Sequence, residues 1–293
     1  MIADRSLGGR FFDVLNYLLV TVLCLICMFP IIHVLAVSFS DRAATTANLV
    51  KLWPVHFNTI NYQRILQDGQ FQRSLSISFW RVIVGTTINM GIVVLTAYPL
   101  AVREEYRGKT VSKWLLIFAM LFSGGMIPTY LVVRSLGLIN SFWSLVLPFS
   151  VDVWSIIVLA NYYRRLPVEI AEAATMDGAN HWQILIKIYL PLSAPVIATL
   201  TLFTAVWYWN EWFYALIYMN TPVNYPLQTY LQTTVIRKDF SSMRAMSSSM
   251  IRLVSERSLR SAQIILAMIP IAMVYPFLQR YFVKGLTLGS VKG

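Results

Sequence analysis

Charge is scarce in this chain. Only 13% of its 293 residues are Asp, Glu, Lys or Arg, against about 25% in a soluble globular protein. A water-facing surface would need roughly twice the charge present, which excludes a soluble enzyme. The 57% hydrophobic content and mean hydropathy of +0.61 exclude a disordered chain. Acids are the scarcer sign: 13 Asp+Glu stand against 24 Lys+Arg, a net charge of +11. In a soluble protein that excess would suggest nucleic acid. In a membrane protein it reflects cytoplasmic loops and lipid head groups.

Cysteine and histidine are also few. Two cysteines exclude a disulfide framework. Cys24 and Cys27 have C-x-x-C spacing, but an apolar helix supplies neither a pKa-lowering environment nor four zinc ligands. They are expected to be small apolar fillers. The three histidines, His33, His56 and His181, are scattered, and no Ser/His/Asp set is visible, so no catalytic centre and no metal site is expected. Gly108-Lys109-Thr110 lacks the P-loop glycine five residues upstream, where Arg103 stands; no nucleotide site is expected. Ser123-Gly124-Gly125 lies in an apolar run, where small residues are expected to allow close helix packing.

What the chain has in abundance is long apolar runs. Six are long enough to cross a bilayer core of about 30 Å as helices: about Phe12 to Phe39, Leu75 to Val102, Trp114 to Val133, Phe142 to Tyr163, Pro195 to Met219 and Ala262 to Val283. Strand-like alternation is absent, which excludes a barrel. The first run follows Arg5 and Arg10 in the manner of a signal peptide, but it is too long for a cleaved segment and reads as a membrane helix. The fold class expected is an all-α membrane protein with six transmembrane helices. Basic residues divide almost evenly between the two sets of loops. The short, dense Arg103–Lys113 loop favours an N-terminus in the cytoplasm, but the charge count alone does not decide the orientation.

The stretch between the fourth and fifth runs, Arg164–Pro191, carries the most information. Pro167 suits a first helical turn, and Glu169 and Glu172 lie near the positive end of the helix it opens. Gly178 can take the left-handed backbone that ends it. Asn180 can cap a second helix, with Gln183 reaching back. Trp182, Leu185, Ile186 and Tyr189 then share one apolar face, and Pro191 stops the helix. This helical hairpin is either an interfacial connector lying on head groups or a docking surface for a soluble partner.

Glu172-Ala173-Ala174, three residues, Gly178, nine residues, Ile188, one residue, Leu190-Pro191 fills every fixed position of the EAA loop. On that motif the chain resembles the permease subunits of ATP-binding-cassette importers that take up carbohydrate, with a type I importer permease fold. The resemblance runs over nearly the whole chain. It includes Leu52-Trp53-Pro54 through Asn61-Tyr62, Ser123 to Tyr130 with Gly137-Leu138, and Gln279 to Gly293. Within the family it is similar to the smaller maltose permease and to the subgroup importing acidic polysaccharide fragments such as alginate.

The resemblance implies a non-catalytic inner-membrane subunit with both termini cytoplasmic. Its partners would be a second permease, an ATPase dimer carrying ATP and Mg, an external solute-binding protein and an oligosaccharide. There would be no cofactor in this chain and no nucleic-acid partner. ATPase coupling would fall to Glu172, Ala173, Ala174, Asp177, Gly178, Leu190 and Pro191, and the tail 284–293 would also reach the ATPase.

Aromatic and polar residues of the fifth run, Tyr208, Trp209, Asn210 and Glu211, are candidates for the solute pathway, with Asp152 and Asn89 as further ones. Sugars stack on aromatic rings, and a carboxylate within the membrane is costly and functional by default; the competing readings are an interfacial belt or helix packing. The outer loop of about residues 220–261 is basic. Its Arg237, Lys238, Arg244 and Arg252 are candidates for contacting the binding protein, and its Ser/Met-rich centre, Ser241–Met250, suggests mobility. The alternatives are an ion-coupled secondary transporter, which would show internal repeats and midplane breaks, and an intramembrane enzyme.

Overall fold

The computed structural model describes residues 7–102, 108–236 and 257–273, and every regular element among them is helical. The chain divides into two units. One contains the described residues of 1–69 and 235–269, the other those of 70–234 and 270–293.

In the first unit the helix Leu7–Ser38 carries a 28-residue membrane-length stretch, Phe11–Ser38, and no residue of its apolar window is buried among the described residues. At 1.5 Å per residue it is longer than a bilayer core of about 30 Å. Cys24 and Cys27 are both exposed on it. The C-terminal end of this helix is the packed end. Ala36 and Val37 meet Ala44, Val50 and Val55, and the Asn61 amide donates to the Ser38 carbonyl at 3.2 Å. Asp41 caps the short helix Arg42–Thr46 by accepting the Ala44 N–H at 2.8 Å.

In the second unit a helix over Gly69–Val102 begins six residues before the expected Leu75. The third, fourth and fifth apolar runs are not single helices. The third is two helices, Lys109–Leu121 and Met126–Ser135, bent by 114°. Gly125 takes φ +84° at that break, and a side chain there would meet nothing within 4 Å. The Ser123-Gly124-Gly125 segment is therefore a turn and not a helix-packing face. The fourth run is a pair of 3₁₀ turns over residues 142–149 followed by Val153–Tyr163, bent by 46°. The fifth is Ala194–Asn210 and Phe213–Tyr218, parted at Glu211-Trp212. A break in an apolar run leaves carbonyls and N–H groups that must find partners inside the protein, and the polar side chains near these breaks supply them.

The core of this unit is built from apolar residues at helical spacing. Met90, Val93 and Ala97 on one helix face Ile156, Leu159, Ala160 and Tyr163 on another, with Leu200 of the fifth run beside them. Ala171, Ile184, Leu185 and Tyr189 of the Arg164–Pro191 stretch belong to the same cluster. The start of the long loop after Met219 is packed: Leu227 and Thr229 are fully buried, and the Leu227 N–H donates to Ser78 Oγ at 2.7 Å. Arg237, Lys238, Arg244, Arg252, the Ser241–Met250 segment and the tail 284–293 lie outside the described residues.

Candidate functional site

The hairpin forms as its sequence dictates. Pro167 precedes the helix Val168–Met176, with Glu169 in its first turn. The helix ends at Gly178, φ +82°. The Gly178 N–H donates to the Thr175 carbonyl at 3.0 Å and the Ala179 N–H to the Ala174 carbonyl at 2.9 Å, the paired bonds of a Schellman motif. The second helix opens on a reciprocal cap: the Gln183 N–H donates to Asn180 Oδ1 and the Asn180 N–H to Gln183 Oε1, each at 2.9 Å.

That second helix differs from the reading of one stripe through Trp182, Leu185, Ile186 and Tyr189. Leu185 and Tyr189 are buried together with Ile184, whereas Trp182 is 62% and Ile186 56% exposed. Both sides are apolar, and the described residues bury only one of them. A π turn over Leu185–Tyr189 lets the helix run through Pro191 to Leu192. An 81° bend at Ser193 then leads into the fifth run, so Pro191 does not stop the helix.

The hairpin thus has a seated face and a presented face. Ala171 is buried, and Ala174, Ala179, Ile188 and Leu190 pack against the core cluster. Three rings lock the seat. Tyr189 lies edge-on to Tyr98 of the second span and to Tyr163 of the fourth, with centroids 5.5 and 5.2 Å apart. The Tyr98 hydroxyl sits 3.3 Å from His181 Nδ1. On the presented face Glu172, Ala173, Asp177, Gly178 and Pro191 are exposed, and Met176 beside them is 87% exposed.

A second polar centre lies at the break in the fifth run. Glu211 pairs with Arg81, whose side chain is fully buried. The guanidinium also donates to the Glu211 carbonyl at 2.8 Å and the Leu145 carbonyl at 3.3 Å, and it lies 5.8 Å from the centre of the Tyr208 ring. The other carboxylate oxygen of Glu211 accepts the Tyr214 N–H at 2.6 Å, capping the helix Phe213–Tyr218. Arg81 therefore satisfies carbonyls freed by two breaks while its charge is cancelled. Tyr208 Oη donates to the Val146 carbonyl at 3.2 Å.

Beside this pair is a cavity of about 380 Å³ walled by Phe149, Trp154, Phe203 and Trp207, with Asn89, Asp152 and Tyr208 among its lining. Asp152 caps Val153–Tyr163, accepting from the Trp154 N–H and the Ser155 hydroxyl. Asn89 donates to the Phe149 carbonyl at 3.2 Å. Asn210 and Glu211 line a neighbouring, more open cavity of about 810 Å³ that also includes Trp207 and Phe203. Trp209 is buried, and its indole N–H has no partner among the described residues.

Residues 94–288 match the family described as the inner membrane component of binding-protein-dependent transport systems. The chain belongs to that family. The permease is 40% identical over 290 residues to the polygalacturonan/rhamnogalacturonan transport system permease protein YtcP of Bacillus subtilis, covering 97% of this chain and 99% of the relative. It is 39% identical over 286 residues to protein LplC of the same organism, covering 98% and 96%. A solved chain of a bacterial ABC transporter involved in the import of the acidic polysaccharide alginate superposes with a TM-score of 0.86 at 32% identity, over 95% of this chain and 99% of that one. The all-α membrane architecture is that of a type I importer permease.

Within the permease, the structure brings the coupling candidates together on one hairpin and gathers Tyr208 and Asp152 in one cavity. It sets Trp209 in the core and Glu211 in an ion pair. Sequence reasoning missed Arg81 as the partner of Glu211. The signal was available, since a cation embedded in an apolar run requires a partner. It also missed the Tyr98, Tyr163 and Tyr189 ring cluster, whose members are far apart in sequence.

Proposed function

We propose that this permease carries acidic oligosaccharide handed over by a solute-binding protein. In this reading it hydrolyses nothing itself and is driven through the 164–191 hairpin by a separate ATPase dimer that holds ATP and Mg. The single observation that supports the drive mechanism is the two-faced hairpin. One face is seated in the core of the membrane helices through Tyr189, and the other offers Glu172, Ala173 and Gly178 with nothing among the described residues covering them. A lever needs such a fixed end and a free end.

Glu172 is the charged contact for a basic residue of the ATPase, Ala173 permits close approach, and Asp177 and Gly178 shape the tip. Ala174 and Leu190 hold the hairpin on its seat, and Pro191 lies on the presented face. The hairpin and both termini then lie in the cytoplasm. The acidic character of the cargo rests on the relatives, one named for polygalacturonan and rhamnogalacturonan and one involved in alginate import. Tyr208, Asp152 and Asn210 border the solute pathway, with Trp209 and Glu211 shaping its wall. Arg237, Lys238, Arg244 and Arg252 face the binding protein.

Glu172→Ala and Gly178→Val in the assembled complex test the drive. The expected result is normal membrane insertion with uptake lost and ATP hydrolysis no longer stimulated by the loaded binding protein. Unaltered uptake in both variants would refute it. Competition of uptake by acidic but not by neutral oligosaccharides tests the cargo.

A further inference from the structure

The helix Lys109–Leu121 has no buried residue. Trp114, Leu115 and Phe118 on it are 66%, 63% and 61% exposed. In a membrane chain such apolar surface is covered by acyl chains or by another membrane helix. Beside the middle of this helix is a small cavity of about 180 Å³, shared with Leu100, Val153–Tyr163 and Arg164 just beyond it. Its polar side is Lys113, Asn161 and Arg164, and its apolar side includes Leu116, Ile117 and Ile157.

The charges in this cavity are unbalanced. Among the described residues no Asp or Glu lines it. Lys113 has no hydrogen-bond or ion-pair partner among the described residues. Arg164 is fixed by two bonds, to the Leu100 carbonyl at 3.1 Å and to Asn161 Oδ1 at 3.3 Å, which orients its remaining N–H donors. Two cations on one small cavity repel each other unless an anion lies between them. A planar guanidinium beside an ammonium suits the oxygens of a phosphate. Aliphatic walls continuing from the polar side suit the chain attached to that phosphate, and Trp114 next to Lys113 is the residue type found at head-group level.

We propose that this cavity binds the phosphate head group of an anionic phospholipid in the leaflet on the hairpin side. Arg164 opens the hairpin stretch four residues before its first helix, Val168–Met176, so the bound lipid braces the hairpin's first strut against the helix Lys109–Leu121. This site is separate from the solute cavities and from the presented face of the hairpin.

The test is native mass spectrometry of the full transporter complex, purified from nanodiscs containing phosphatidylglycerol and phosphatidylcholine in equal amounts. The expected result is preferential retention of phosphatidylglycerol, with Lys113→Gln lowering it about fivefold, the worth of one basic residue at an anionic surface. Lys113→Arg should restore retention, and excess inorganic phosphate should fail to displace the lipid. Equal retention of both lipids by the wild-type complex would overturn the proposal, as would undiminished phosphatidylglycerol on Lys113→Gln. Displacement by inorganic phosphate would show a small-anion site in place of a lipid site. Should Lys113→Gln fail to assemble, the lipid preference and phosphate competition of the wild-type complex still decide the question.

Discussion

The Arg81–Glu211 pair allows two roles for Glu211 to be separated. Glu211→Gln keeps the side-chain shape and can still accept the Tyr214 N–H, but it leaves a fully buried guanidinium without its counter-charge. Removing one partner of a buried pair costs about 3–5 kcal/mol. The lower end applies here, because the bonds from Arg81 to the Glu211 and Leu145 carbonyls survive. Arg81→Met alone leaves a buried carboxylate and two orphaned carbonyls, at a similar cost. The double variant leaves no unpaired charge, so it should lose less than the sum of the singles by about 2 kcal/mol, within the range for residues in direct contact. Unfolding of the reconstituted permease in mixed detergent micelles, read for all four proteins, gives the coupling. Strict additivity would refute the pin. So would a Glu211→Gln variant of wild-type stability with altered uptake affinity, which would make Glu211 a solute contact.

Three further outcomes follow from the packing. A Cβ at Gly85 would sit 2.6 Å from the Tyr208 ring, whereas one at Gly91 on the same helix meets nothing within 4 Å. Gly85→Ala should therefore destabilise by about 1–3 kcal/mol and Gly91→Ala should not, in the same unfolding assay. Asn180→Ala removes the reciprocal cap of the hairpin and should cost about 1 kcal/mol, seen as faster amide exchange over the hairpin with the spans unchanged. The Tyr163 hydroxyl is buried with no partner among the described residues, so Tyr163→Phe should be neutral or stabilising by about 1 kcal/mol, while Tyr163→Leu, which removes the ring contact with Tyr189, should lower uptake.

Local rules carried far where the chain decides its conformation locally. The hairpin was legible down to its caps because Pro167, Gly178, Asn180 and Gln183 act within four residues of themselves. The apolar runs were legible as membrane-embedded, since composition alone decides that. Their interruptions were not. Gly125, the Glu211-Trp212 step and the 3₁₀ turns over residues 142–149 sit in segments as apolar as any helix, and carbonyls at the last two are satisfied by Arg81 and Asn89, residues distant in sequence. The face of the hairpin's second helix was misread for a related reason. Trp182 and Ile186 are as apolar as Leu185 and Tyr189, and periodicity cannot tell a surface this chain buries from one it leaves exposed. For Glu211 the expectation that a membrane carboxylate needs a purpose held physically, but the pair with Arg81 gives it a structural one.

The central claim, that an ATPase grips the presented face of the hairpin, is tested most directly by photo-crosslinking. A benzophenone side chain replacing Met176, which is 87% exposed at the hairpin tip, should capture the ATPase subunit in native membranes, and the yield should change between nucleotide-free and ATP-bound states. The same probe at Leu131, exposed on Met126–Ser135, should capture no ATPase. An ATPase adduct from Leu131 with none from Met176 would contradict the account.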